Sequence, residues 1–265
     1  MARTSGSITA KEPVTTTHTL SGVDVLLAAD RALGDVFDSV APLVDLFTAL
    51  VSGLSDPPAS GDLATLRPAI FELLRRHEGL VGGAGVVTAP GLLRDRSHWL
   101  EWWWTGAHGK PEALRVDPDP GAPDFFDYVT TDWYTTPLRT RRRRTAGPYV
   151  DYICTNEYAL TLSVPVFVGP EAIGVAAADV LISSLERLVL PALLQIPRPT
   201  ALASADGRVI ASNSPHWLPA DRLPPEAVRP PASQGARSSG ERMQSGEMPW
   251  FLVDLDEAVA GPPAR

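Results

Sequence analysis

Apolar positions keep a helical spacing at the start of the chain and switch to strand alternation after about residue 84. Leu33, Val36, Phe37, Val40, Val44, Phe47, Leu50, Val51 and Leu54 recur every three or four residues, which predicts one long amphipathic helix over 23–54, kinked or divided by Pro42. A second helix is predicted over 62–78, capped by Asp62 and carrying Leu63, Leu66, Ile70, Leu73 and Leu74. Strands are predicted at 84–89, 99–105 and 113–116, then a helical or turn segment over 124–138. Three more strands follow at 148–154, 158–168 and 172–179, joined by Thr155-Asn156-Glu157 and Gly169-Pro170-Glu171, each short enough for a hairpin. The helical period returns over 181–194 until Pro197 and Pro199 stop it. A hairpin at 201–212 turns at Asp206-Gly207, a long Pro-, Ser-, Gly- and Arg-rich loop occupies 219–248, and a last strand is expected at 250–255. Helices first and an antiparallel meander afterwards define an α+β class, with an antiparallel central sheet flanked by the long N-terminal helix. The expected organisation is a flexible arm at 1–19, a ligand-binding domain at 20–199 and a C-terminal β annex at 200–265.

Alternation within 158–168 puts Tyr158, Leu160, Leu162, Val164, Val166 and Val168 on one face and Ala159, Thr161, Ser163 and Pro165 on the other. One face is core, and the other is small and polar. With three-residue loops, Cys154 opposes Tyr158 and Val168 opposes Ala172, so Asp151 aligns with Thr161 and Thr161 with Asp179. The two carboxylates then flank Thr161, and a bound ammonium or metal would offset their repulsion. Aromatic residues precede these strands: Trp102, Trp103, Trp104, Phe125, Phe126, Tyr128, Trp133 and Tyr134. Their faces attract cations. Alternation separates Trp103 from Trp102 and Trp104, so at least one of these rings meets a ligand or a covering element.

Charge and chemistry narrow the function. A net charge of -8, from 31 acidic and 23 Lys and Arg residues, argues against direct nucleic-acid binding. The run of arginines in 139–144 reads as a solvated loop, with a polyanion or protein contact as the alternative. A single cysteine, Cys154, excludes internal disulfides and reads as structural rather than nucleophilic. Without an apolar run in 1–19 the expected location is the cytoplasm, and Asp38, Pro42 and Asp45 interrupt 36–54 against a membrane crossing. Gly82-Gly83-Ala84-Gly85 reads as a turn, because a phosphate loop would follow a strand rather than precede one. His18, His77, His98, His108 and His216 show no metal spacing, and no Gly-x-Ser-x-Gly elbow occurs. No catalytic residue, metal or cofactor is expected.

Asp132-Trp133-Tyr134, Gly147-Pro148-Tyr149-Val150-Asp151, Thr161-Leu162-Ser163-Val164-Pro165-Val166 and Ile173-Gly174-Val175-Ala176-Ala177-Ala178-Asp179 together resemble the signature of Cache sensor domains, over about 25–212. The resemblance implies a PAS-like fold with a short or incomplete second lobe. It also implies a pocket in which Trp133, Tyr134, Tyr149, Asp151 and Asp179 hold an amine group. Two positions depart from the amino-acid-binding pattern: Thr131 stands where an arginine would grip a carboxylate, and Phe126 where a tyrosine is usual. The candidate ligand-binding residues are thus Trp103, Tyr128, Thr131, Trp133, Tyr134, Tyr149, Asp151, Thr161 and Asp179. The expected function is sensing of an amine or amino acid and signalling through a partner, such as a transcription regulator, by a homodimer that docks through its first helix. The competing readings are a hydrolase or isomerase using Asp151 or Asp179 as base, and a dimeric interaction module.

Overall fold

The computed structural model describes residues 22–106, 109–117, 119–123, 125–225, 243–244 and 250–255. The arm at 1–19 and most of the loop at 219–248 lie outside the described residues. Helix α1 is Gly22–Gly53 and runs through Pro42 without interruption. Leu33, Val36, Val40, Leu43 and Phe47 are fully buried on its inner side. By length and composition alone it is a helix that could cross a membrane. In this fold that inner stripe instead covers a sheet.

The second helix begins later than its apolar spacing predicts. Residues Ser60–Leu66 form a 3-10 turn, where Asp62 accepts the Ala59 N–H, and α2 is Arg67–Arg76 with Pro68 at its start. Strands β1 (Val81–Thr88), β2 (Leu100–Thr105) and β3 (Pro111–Ala113) follow, then α3 (Asp132–Thr140). After them come β4 (Arg144–Val150), β5 (Tyr158–Val168), β6 (Glu171–Leu181) and α4 (Ile182–Leu193). These six strands make one antiparallel sheet ordered β3-β2-β1-β6-β5-β4. A second sheet, ordered β8-β7-β10-β9, holds β7 (Thr200–Ser204), β8 (Val209–Ser212), β9 (Met243–Gln244) and β10 (Trp250–Asp254). The architecture is the α+β arrangement expected from the sequence, with a small second sheet.

One expectation fails locally. Gly82 to Gly85 is neither a turn nor a phosphate loop but part of the buried strand β1. The arginine run is largely the solvated connection expected, with 141–143 exposed between α3 and β4, but several of its side chains are tethered. Arg139 sits in the last turn of α3, Arg141 lies over the Phe167 ring, Arg143 lies over Phe37, and Arg144 begins β4 in an ion pair with Asp132. The run thus ties the α3–β4 connection to the rest of the fold.

Candidate ligand-binding site

Strand pairing decides which side chains meet, because register partners project to the same face. One row runs Trp104, Gly83, Asp179, Thr161, Ala146, and the next runs Trp102, Gly85, Ala177, Ser163, Arg144. The opposite face carries Leu160, Leu162, Ala84, Ala176 and Ala178 and is sealed beneath α1 and α2. The first face keeps a cavity of about 690 Å³, within the range of pockets that enclose drug-sized molecules. Trp133 of α3 and Tyr149 of β4 wall it, and Ser204, Asp206, Arg208 and Trp250 of the second sheet and its hairpin line the far side.

At the polar centre, Tyr149 Oη and Thr161 Oγ1 make a very short contact, and the Thr161 hydroxyl donates to Asp179 Oδ1 at 2.5 Å. Since a hydroxyl carries one proton, Tyr149 is the donor to Thr161. Asp179 Oδ2 takes no hydrogen bond from a protein group among the described residues, although the residue is only 7% exposed. Burial pushes the Asp179 carboxyl up to about 7; the Thr161 hydrogen bond opposes the rise and the Asp151 charge adds to it. Burial, followed by the Asp179 charge, likewise lifts the Tyr149 hydroxyl well above its ordinary range. A nearly buried carboxylate with one oxygen left to the cavity, which Trp133 and Tyr149 also line, has the chemistry to accept an organic cation.

Asp151 plays a different part from the one its predicted register assigns. Thr161 pairs with Asp179 as expected, but its partner on β4 is Ala146. The register shifts between Ala146 and Tyr149, where Gly147 has φ 114° and an added Cβ would meet the Ala159 carbonyl at 2.7 Å. Only glycine suits that position. Asp151 therefore falls past the strand end and organises the turn to Glu157. Its Oδ1 accepts the N–H groups of Ile153 and Cys154, and its Oδ2 accepts the Thr155 N–H and hydroxyl, all at 3.2 Å. Asp151 still lines the cavity, but its charge is already engaged by these donors.

Of the other candidates, Thr131 lines the cavity with Trp133. Trp103 faces the opposite side, edge-on to Phe71 at 4.8 Å, under Arg67, with its N–H on Glu101. Tyr128 and Tyr134 stand behind the cavity: both hydroxyls donate to the Thr88 carbonyl, at 2.9 and 3.3 Å, and their rings meet edge-on. Tyr134 also meets the Trp133 ring edge-on, and neither tyrosine lines the cavity. The tryptophan that does line the cavity is Trp102, 5% exposed, with an indole N–H that has no hydrogen-bond partner. Its signal in the sequence was the strand alternation that groups it with Trp104 on the face opposite Trp103.

Cys154 also lines the cavity; burial, and then the charges of Asp151 and Asp179, hold its thiol far above the ordinary range. The described residues hold no cluster of His, Cys, Asp and Glu able to bind a metal ion.

Residues 119–187 match the family described as methyl-accepting chemotaxis protein-like, first PDC sensor domain. No curated protein matches the chain by sequence. Among solved structures, the sensory domain of the Campylobacter jejuni chemoreceptor Tlp3 superposes with a TM-score of 0.56 at 14% identity, covering 87% of this chain and 90% of that one. The same receptor domain with isoleucine bound gives 0.53 at 14% identity, over 87% and 89% of the two chains. The ligand-binding domain of the Pseudomonas aeruginosa amino acid chemoreceptor PctC, in complex with GABA, gives 0.52 at 18% identity over 88% and 95%. The matched segment holds Trp133, Tyr149, Asp151, Thr161 and Asp179, so the chain has the fold of the Cache, or PDC, sensor domains and carries that family's pattern where its cavity is built.

Proposed function

We propose that this protein senses a small amine-bearing metabolite, an amine or an amino acid, in the cavity above Asp179, and passes the binding event to a partner protein without turning the ligand over. The observation that carries the reading is the Tyr149–Thr161–Asp179 chain, which engages one oxygen of a nearly buried carboxylate and leaves the other to the cavity that Trp133 and Tyr149 also line. The amino acid and GABA complexes of the similar receptor domains support the same ligand class. Signalling by a dimer belongs to the proposal; the outward Leu27 and Leu46 of α1, each more than 40% exposed, offer the contact surface.

Native mass spectrometry of the purified protein, followed by thermal shift with the molecule it retains, tests the reading. At about 100 times its dissociation constant the ligand adds roughly 2.7 kcal/mol of stability. The Asp179→Asn variant should fold and lose most of that gain. Equal binding by parent and variant would remove Asp179 from the site.

An enzymatic reading has one observation in its favour, the Asp179 carboxyl at about 7, which suits a general base. Turnover of the retained molecule by the purified protein would replace the sensor reading with that one.

A further inference from the structure

The indole N–H of Trp102 is the single buried side-chain polar group left without a hydrogen-bond partner among the described residues. Leaving such a donor unserved costs free energy, and buried tryptophans ordinarily find an acceptor. The Cys154 thiol stands close enough to the indole to interact with it, but sulfur is a weak acceptor and gives the N–H no hydrogen bond of ordinary geometry. The donor belongs to a residue that lines the ligand cavity.

The strand beneath explains how the ring reaches this place. Gly85 is the register partner of Trp102, and Gly83 is the partner of Asp179. Neither glycine raises a side chain from the sheet, so the indole can lean along β1 until its Nε1 stands 2.7 Å from where a Gly83 Cβ would be. Register partners hold their Cβ atoms about 5 Å apart. Trp102 Nε1 therefore lies within roughly 8 Å of the Asp179 Cβ. A buried donor and a buried carboxylate with a free oxygen thus face one cavity at a spacing that a single small molecule spans.

We propose that Trp102 is a specificity-determining residue, whose N–H takes a hydrogen-bond acceptor carried by the carbon next to the ligand's ammonium. The site then favours molecules of the amino acid or amino amide type over amines that carry no acceptor. This rests on Asp179 holding the ammonium. An indole N–H carries no charge, so it reads the presence of a carbonyl-type oxygen rather than its charge.

The test uses matched triads on the alanine, leucine and phenylalanine skeletons: the L-amino acid, its amide, and the corresponding amine without the carbonyl group. Affinities by calorimetry are compared for the parent, Trp102→Phe and Asp179→Asn. Trp102→Phe keeps an aromatic ring in place and removes the orphan donor, so the ligand-free variant should be at least as stable as the parent. In the parent, the best acid or amide should bind about tenfold or more tighter than its amine. In Trp102→Phe that preference should collapse, with acid and amide losing at least tenfold more affinity than the amine. If acid, amide and amine all weaken by the same factor, or none changes, Trp102 only packs or is served by water, and this inference falls while the amine site stands. If Asp179→Asn binds every probe as the parent does, or no probe binds, the amine reading itself falls and this one with it.

Discussion

Thr161 and Leu162 are neighbours on β5 and look out from opposite faces of one sheet. Leu162 belongs to the face beneath α1, where Leu160, Ala176, Ala178 and Val180 leave no space. Thr161 belongs to the face beneath Trp133, where Gly83, Gly85 and Ala177 are too small to fill the gap and a cavity remains. The same backbone serves both, so what separates core from site is side-chain volume and the covering layer. Large apolar residues met by a long helix give packing. Small and polar residues met by a short helix and a second sheet give a pocket with a buried charge.

Changing these two neighbours should produce the largest contrast. Leu162→Ala opens a cavity in the sealed face and should cost about 2 to 5 kcal/mol in urea unfolding, while a retained ligand still binds the folded fraction with parental affinity. Thr161→Val removes the link between Tyr149 and Asp179 and should cost about 1 to 3 kcal/mol. Because the Thr161 hydrogen bond holds the Asp179 carboxyl down, its loss raises that carboxyl further and weakens amine binding at neutral pH. Parental affinity in Thr161→Val, or lost affinity in folded Leu162→Ala, would show that the faces do not divide their work in this way.

A smaller effect follows from titration. The Asp179 carboxyl is raised from its ordinary value of 3.8 to about 7 in the folded protein. Between those values the folded state holds a proton that the unfolded state has released, so the unfolded state binds fewer protons and stability falls as pH rises. Below the lower value Asp179 contributes no penalty; above about 7 the penalty is complete. Asp151, Tyr149 and Cys154 surround the group, and the two aspartates repel each other across this window. Urea midpoints of the ligand-free protein from pH 5 to 8 should drop by more than those of Asp179→Asn. An ammonium ligand needs the ionised carboxylate, so its affinity should rise over the same interval. Identical pH profiles for parent and variant would mean that Asp179 does not titrate there.

The sequence and the fold agree wherever period alone decides. The helices of α1 and α4, the alternation of β5 and the pairing of Thr161 with Asp179 were all legible, because a one-residue slip would have turned a hydrophobic row into the cavity. Asp151 was misread because no pattern of apolar residues announces the irregularity between Ala146 and Tyr149. The β1 glycines were misread as a turn because their function is to leave room for an indole from the next strand, which is a property of the pair. Among the tryptophans, alternation separated Trp103 from Trp102 and Trp104, but which face is covered by α2 and which lines the cavity depends on tertiary packing.

Cys154 should give the smallest effect of all, although it lines the cavity. Burial and the two aspartates keep its thiol neutral at physiological pH, so it offers neither charge nor a ready nucleophile. What the turn requires of it is its backbone N–H, which donates to Asp151 Oδ1 at 3.2 Å and survives any side-chain change. Cys154→Ser should therefore shift unfolding by no more than about 0.5 kcal/mol and leave amine affinity unchanged. Its one directional consequence concerns Trp102. A serine hydroxyl accepts better than a thiol and can compete for the indole N–H, so acceptor-bearing probes should weaken slightly while plain amines do not. A loss as large as that of Asp179→Asn would instead put the thiol in contact with the ligand and make the cavity's chemistry that of a sulfur centre.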